Sequence, residues 1–60
     1  MKVGDVLFRP DNCNVVLVLE IDLSRVITLY LDNEAPEYVG TVFEHDVLYI
    51  EWKYTQETVR

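Results

Sequence analysis

Apolar and polar residues alternate along much of this 60-residue chain with the two-residue period of β-strands. In the stretch VVLVLEID, residues 15–22, the acids Glu20 and Asp22 occupy one parity, which predicts that the opposite parity faces the core. That inward set is Val15, Leu17, Leu19 and Ile21. Val16 and Val18 then share the outward side with the two acids, so this strand has more apolar residues than one buried face needs.

A second strand follows in the stretch RVITLYLD, residues 25–32, where Asp32 marks the outward side. The residues predicted to face inward are Ile27, Leu29 and Leu31, and those predicted to face outward are Val26, Thr28 and Tyr30. Val, Ile, Thr and Tyr suit the pleated, half-buried surface of a strand. The short connection LSR between the two strands has hairpin length.

Turn residues separate the remaining segments, and no segment repeats apolar residues at helical spacing over the length of a helix. RPDNCN and DNEAPE are turn clusters, and Gly40 predicts a bulge or sharp bend within a fourth strand. The five predicted strands are 3–9, 15–22, 25–32, 37–43 and 47–54.

Five short antiparallel strands in one small domain must close on themselves to cover a core, so the pattern predicts an all-β five-stranded barrel. The chain is expected to be a single domain, 1–60, with 51–60 as an extended C-terminal strand or tail. Residues Glu44 to Val47 are predicted to form a one-turn connector before the last strand. Asp46 would accept backbone N–H groups at its start, and His45 would lie on the outside.

Three parts of the chain resemble small SH3-like (KOW-like) β-barrel proteins of bacteriophage genomes, most of them uncharacterised. They are the opening KVGDVLFR, the hairpin of VVLVLEID with RVITLYLD, and the closing VFEHDVLYI. The matching positions are Val3, Gly4, Asp5 and Val6, then Val42, Asp46, Val47 and Ile50. The resemblance spans most of residues 2–50 and implies an SH3-like barrel with a one-turn helix before the last strand. The glycine that KOW-type members carry before the second strand is replaced by DNCN, and the tail EWKYTQETVR continues past their usual end.

Eleven acidic and five basic residues give the chain a net charge of −6. Such a field repels nucleic-acid phosphates and attracts basic protein surfaces, although acidity also serves solubility alone. A nucleic acid is therefore not expected as a partner. The lone Cys13 and the absence of a long apolar run indicate a cytoplasmic protein without a membrane span, in the host cytoplasm if a phage encodes it.

The chemistry-bearing residues are too few for a catalytic site. Glu44, His45 and Asp46 are consecutive, so in a strand they point in alternating directions and cannot bind one metal together. Cys13 and His45 are the only thiol and imidazole, and a filled barrel has no room for a substrate cavity. We expect no enzyme activity, no cofactor and no bound metal.

The surplus of apolar residues on outward positions predicts a protein-binding surface, because exposed apolar patches usually mark interaction sites. Its expected anchors are Tyr30, Trp52 and Tyr54, and its expected acidic surround is Glu20, Asp22 and Glu51. A tail that folds back over the outer valines would equally account for the surplus.

Three functions from different classes are compatible with this sequence. The first is an acidic phage-type accessory protein that binds and modulates or inhibits a host protein, with carboxylates that in one version imitate DNA phosphates. The alternatives are a KOW-like nucleic-acid-binding module and a structural homo-oligomer that pairs through a free strand edge.

Overall fold

The computed structural model describes residues 1–56 as one antiparallel sheet packed against a short helix. The strand order is β4-β3-β2-β1-β5, so β4 and β5 lie at the two edges. No helix among residues 1–56 has the length and apolar character that a membrane span requires. The elements are β1 (Val6–Arg9), β2 (Asn14–Ile21), β3 (Arg25–Asp32), a 3₁₀ turn (Pro36–Tyr38), β4 (Val42–Asp46), α1 (Val47–Lys53) and β5 (Thr55–Gln56).

The structure confirms the mostly-β fold and the bounds of β3, and it shortens the first strand. Residues 3–5 do not join that strand, because Asp5 closes a turn: its N–H donates to the Lys2 carbonyl, and its carboxylate accepts from the Lys2 N–H. Gly4 adopts a φ of +94° in this turn, a conformation that glycine tolerates without strain. Closure of the strands into a barrel stays a prediction.

The predicted fourth strand, 37–43, is wrong in its first half. Pro36 begins a 3₁₀ turn, which its fixed φ favours, and β4 starts only at Val42. The sharp bend expected at Gly40 is present, with a φ of +88°. The Gly40 N–H donates to the Tyr30 carbonyl at 2.8 Å, which ties the bend to the end of β3.

The predicted fifth strand, 47–54, is also wrong, because residues 47–53 form helix α1; for the same reason residues 51–53 do not belong to an extended tail. The one-turn connector predicted at Glu44 to Val47 is wrong too, because Glu44, His45 and Asp46 belong to β4. The Asp46 side chain accepts the Leu48 N–H at 2.8 Å, so the expected role of Asp46 at the start of a turn is confirmed and extends to a full helix. Val47, Ile50 and Tyr54 follow the three- and four-residue spacing of a helix face and turn toward the sheet. In the sequence, the alternation of Ile50, Trp52 and Tyr54 with polar residues concealed this spacing.

The predicted facing of β2 is wrong for most of the strand, and a β-bulge is the reason. Val18 lies opposite Thr28 and Glu20 opposite Ile27, so Leu19 is an extra residue without a partner on β3. Reading the parity backward from Glu20 therefore assigns the wrong side to every residue before the bulge. Val16 and Val18 are buried in the core, and Ile21, beyond the bulge, faces inward as predicted.

A second bulge inverts the predicted facing of β3. Val15 lies opposite Asp32 and Val16 opposite Tyr30, so Leu31 is the extra residue on β3. Asp32, from which the outward side was inferred, is separated from the rest of the strand by this bulge. The core of the molecule is accordingly built from the residues expected outside, namely Val26, Thr28 and Tyr30.

The core lies between the inner face of the sheet and α1. Ile50 is the central contact of the helix, since only 1% of it is exposed. The fully buried side chains around it are Val16, Val18, Val26 and Thr28, and Leu7, Tyr30 and Tyr54 complete the cluster. With so few side chains in the core of a short chain, each one carries a large share of the stability.

Replacement of Ile50 and, in a second variant, of Trp52 by alanine tests whether residues 47–53 form a helix or a strand. Ile50→Ala should lower the free energy of unfolding by about 2–5 kcal/mol, because it leaves a cavity under α1. Trp52→Ala should change it by no more than about 0.5 kcal/mol, because 75% of Trp52 is exposed. Urea unfolding followed by circular dichroism measures both. Equal costs would contradict the helix, since the two residues share a face only in a strand.

Candidate protein-binding surface

The consecutive residues Glu44, His45 and Asp46 each have a different structural role. Glu44 accepts a hydrogen bond from the Arg25 guanidinium at 2.8 Å across the β3–β4 pair. His45 points to the inner side of the sheet, opposite the buried Val26, and Asp46 caps α1. Nowhere in residues 1–56 do three or more His, Cys, Asp or Glu side chains gather as a metal ion would require.

His45 is half-buried in an aromatic cluster, so the expectation that it lies on the outside is wrong. Its ring stacks on Phe43 at 6.2 Å and on Tyr49 at 6.0 Å, and it meets the Tyr30 ring edge-on. Its Nε2 is buried and makes no hydrogen bond to residues 1–56. Burial lowers the pKa of His45 below its ordinary value of 6.5.

Cys13 lies apart from this cluster, exposed in the turn between β1 and β2. Its φ of +61° is unusual for a residue other than glycine, and its N–H donates to the Arg9 carbonyl at 2.7 Å. Cys13 precedes the first residue of β2, whereas His45 lies opposite Val26, which pairs with Ile21 at the other end of β2, so the sheet does not bring the thiol and the imidazole together.

Two of the three predicted binding anchors are core residues. Tyr30 is 9% exposed and Tyr54 is 7% exposed, so neither can anchor a partner in this conformation. Tyr30 was placed outward by the parity that the bulge at Leu31 inverts. Tyr54 follows the last turn of α1, and burial raises its pKa.

Trp52 is strongly exposed, as predicted, but on the helix rather than on a strand. Leu48, one turn earlier, is also exposed. The Lys53 ammonium lies 4.3 Å from the centre of the Trp52 ring, within the range of a cation–π contact. Leu48 and Trp52 are directed away from the sheet, because Ile50 occupies the opposite side of the helix.

The predicted acidic surround is exposed but distributed over three elements. Glu20 lies on β2 beyond its bulge, opposite Ile27. Asp22 lies in the turn between β2 and β3, where its side chain accepts the Leu23 N–H. Glu51 lies on α1, on the other side of the sheet from Glu20. The structure does not gather the three around one patch.

Most side chains that the sequence predicts for the core lie instead on the side of the sheet opposite α1. We call this side the outer face. Val6 lies directly opposite Leu17, Leu17 opposite Leu29, and Leu29 opposite Val42. These four side chains form an apolar row across four adjacent strands, about 14 Å long at the usual strand separation. Phe8, Val15 and Ile27 have the same facing.

Several apolar side chains of the outer face are accessible to solvent, and the others are partly buried. Val42 is 57% exposed, and the bulge residues Leu19 and Leu31 are 39% and 44% exposed. The described residues put no other element on this side, since α1 packs against the inner face. A contiguous apolar area of this kind is characteristic of an interaction site.

Charged side chains border the outer face and are mostly acidic. Glu20 and Asp32 occupy outward positions at opposite ends of the β2–β3 pair. Arg25 and Glu44 form an exposed ion pair next to Ile27. The border therefore contributes three carboxylates and one guanidinium, a net negative rim.

Two of the basic residues have a carboxylate beside them, which offsets part of their attraction for a polyanion. Arg9 forms a 2.8 Å salt bridge with Asp11 and donates to the Tyr49 hydroxyl at 3.0 Å. Arg25 pairs with Glu44. Arg60, one of the five basic residues, lies outside the described residues, as does the remainder of the predicted tail after Gln56.

A pocket of about 240 Å³ lies where the start of the chain meets α1 and β5. Glu51 is its one carboxylate, and the rest of its lining is Met1, Leu7, Ile50, Tyr54, Thr55 and Gln56.

Comparison of the chain with protein-family models, with curated proteins and with solved structures finds no match. The functional argument therefore depends on the physical properties of the surface itself.

The stability of the fold should fall as the pH decreases below about 6.5, because unfolding exposes His45 and restores its ordinary pKa. The unfolded chain then binds a proton that the folded chain resists, so stability rises with pH across this window and is lost on acidification. His45→Phe should remove this dependence while keeping the aromatic stack. Urea unfolding between about pH 5.5 and 7.5 measures it.

The rings that face His45 belong to Tyr30, Phe43, Tyr49 and Tyr54, and no carboxylate or amine is among them. His45 is the only histidine, which makes the comparison with the phenylalanine variant specific. If the stability of His45→Phe kept the same pH dependence, the attribution of this dependence to His45 would be wrong.

Proposed function

We propose that this protein is a small acidic protein-binding module that docks through the outer face of its sheet. The observation that carries the proposal is the apolar row of Val6, Leu17, Leu29 and Val42, which lies directly across four strands on the side away from α1. Each member is half-buried or exposed within residues 1–56. Its partner is a protein surface with an apolar centre and a basic border.

The apolar character of the outer face supports a protein as the partner. A monomeric soluble protein rarely keeps a contiguous apolar patch on its surface without using it for binding. Burial of such a patch releases about 25 cal/mol per Å² of apolar surface. Aliphatic side chains fixed in a sheet also lose little conformational entropy on binding.

The charge of the protein supports a basic partner. The whole chain carries −6, and Glu20 and Asp32 contribute to a negative rim beside the apolar row. Opposite charges around an interface accelerate the encounter of two proteins and exclude partners of like charge. The same charge opposes binding to a phosphate backbone, and the pairing of Arg9 and Arg25 with carboxylates favours the protein-binding proposal over a nucleic-acid module.

The finer proposal is that of a phage-type accessory protein that binds and modulates a host protein, within an SH3-like barrel. Its support is the resemblance of the segments KVGDVLFR and VFEHDVLYI to small phage barrels, together with a five-stranded antiparallel sheet that has a helix before its last strand. A bacterial lysate is therefore the first source in which to look for the partner.

Replacement of an exposed leucine and an exposed valine tests whether the outer face binds the partner. The double variant Leu31→Thr, Val42→Thr removes apolar surface while keeping residues that suit a strand. Its affinity for the captured partner should fall at least about tenfold, because a loss of about 0.7 kcal/mol at each of the two positions adds up to this change. The measurement is capture by the immobilised full chain, identification by mass spectrometry, and titration calorimetry with the purified partner.

The matched control is Leu23→Thr, Leu48→Gln, which removes equally apolar and exposed side chains away from the outer face. Its affinity should stay within about twofold of the wild type. An equal loss in both variants, or a captured protein with an acidic surface, would contradict the proposal. Sedimentation of the purified protein checks the alternative: a dimer that the outer-face variant dissociates would identify a second copy as the occupant instead.

A further inference from the structure

The free edge of β4 has unpaired backbone groups at defined positions. β4 is the last strand on its side of the sheet and pairs only with β3 among the described strands. In an antiparallel pair, residues alternate between those that hydrogen-bond to the neighbour and those that direct their N–H and C=O groups away from it. The parity of β4 therefore decides which residues another strand could reach.

Hydrogen bonds at both ends of the β3–β4 pair determine this parity. The Val47 N–H donates to the Ser24 carbonyl at 2.9 Å, and the Tyr30 N–H donates to the Thr41 carbonyl at 3.0 Å. Both contacts keep the register in which Val26 lies opposite His45. The odd-numbered residues of β4 thus bond to β3, and the backbone groups of Val42 and Glu44 face the open side. The Asp46 N–H faces the same way, whereas the Asp46 carbonyl is the first acceptor of α1.

The side chains along this edge have different characters on the two sides of the sheet. Val42, Glu44 and Asp46 share the outer side, and Phe43 and His45 share the inner side. Phe43 is exposed and meets the rings of Tyr30 and Tyr38 edge-on at 5.3 and 5.8 Å. A strand added at the edge would cover Phe43 and extend the aromatic cluster.

The charges on β4 oppose pairing with a second copy of the same strand. A symmetric antiparallel pair centred on Glu44 brings two identical carboxylates directly opposite each other, which is destabilising. A pair centred on Phe43 sets Glu44 opposite Val42, so each carboxylate meets an apolar side chain instead of a cation. Charged residues on an edge strand are a known protection against such self-pairing.

The same charges favour a strand with basic residues. Glu44 and Asp46 outnumber Arg25, the one cation beside them, so the outer side of the edge is negative overall. The Arg25–Glu44 pair is mostly exposed, and an exposed ion pair is weak enough for Glu44 to accept a second cation. We propose that the β4 edge accepts an extended segment of a partner protein as an added antiparallel strand. Lys or Arg of that segment lies opposite Glu44 and Asp46, and an apolar residue lies beside Phe43.

This inference does not depend on docking through the outer face, because it uses backbone groups at the edge rather than the apolar row. The parity of β4 also decides which backbone N–H groups of the added strand form hydrogen bonds to it. In an antiparallel pair the residue opposite Glu44 exchanges both of its hydrogen bonds with Glu44. The basic residues of the added strand must therefore keep free N–H groups, and its apolar residues need not.

Short synthetic peptides of alternating Lys and Val, titrated into the full chain, test the register. A fluorescently labelled Lys-Val peptide should bind in a salt-sensitive manner, and a Glu-Val peptide of equal length should not. N-methylation of the Lys nitrogens should weaken binding at least about tenfold, whereas N-methylation of the Val nitrogens should leave it within about threefold. Equal effects of the two methylation patterns, or equal binding of the acidic peptide, would overturn the proposal.

The variant Glu44→Pro tests the edge from the protein's side, with Glu44→Ala as its matched control. Proline removes an N–H that faces away from β3, so the sheet keeps its own hydrogen bonds. Glu44→Pro should lose the peptide, and Glu44→Ala should weaken it only to the extent that the charge contributes. If Glu44→Pro does not fold by circular dichroism, the N-methylated peptides on the wild type still decide the question.

Leu31→Thr distinguishes failure of this inference from failure of the proposed function. This change removes an apolar side chain that belongs to the outer face and lies on β3, away from the β4 edge. Peptide affinity should be unchanged in this variant. A protein partner that binds through the outer face, combined with no binding of the Lys-Val peptide to the wild type, would overturn the edge inference alone.

Discussion

The contact between Ile50 and the inner face of the sheet is the interaction on which the rest of this structure depends. A single sheet needs a second layer to cover its apolar side, and in this chain the covering layer is only the seven-residue helix α1. Asp46 starts the helix and directs Ile50 onto Val16, Val18 and Val26. Because one short helix can cover one face, the opposite face of the sheet has no intramolecular cover within residues 1–56.

The distribution of functional side chains follows from this two-layer arrangement. Tyr30 and Tyr54, which the sequence made candidates for binding, belong to the layer under α1. Leu17 and Leu29, which the sequence made candidates for the core, belong to the uncovered layer. The apolar surplus was correctly recognised as a feature of this chain, but its location was assigned to the wrong side of the sheet.

Sequence reasoning succeeded where one residue determines the local geometry and failed where two segments must be aligned. The bend at Gly40 and the cap at Asp46 were predictable, since a glycine with positive φ and an aspartate before a helix act locally. The bulges at Leu19 and Leu31 were not, because a bulge exists only in relation to the opposite strand. Apolar residues on both parities, as in VVLVL, give no signal of which side is buried, so one shifted residue reverses the assignment. The helix at 47–53 escaped notice because seven residues satisfy a strand period and a helix period almost equally well.

The two bulges have a geometric consequence for recognition. A bulge bends its strand and increases the local twist, and here one lies on each of the two central strands, near opposite ends of their pairing. Side chains from β1, β2 and β3 all reach the cluster around Ile50, and His45 of β4 stacks on Tyr49 of α1, so the sheet bends around α1 and its free side is convex. A convex ridge of aliphatic side chains makes only a narrow contact with a plane or with another ridge, whereas a cleft can enclose it on both flanks. Shape thus adds a criterion to charge and hydrophobicity: the complementary surface is a concave one.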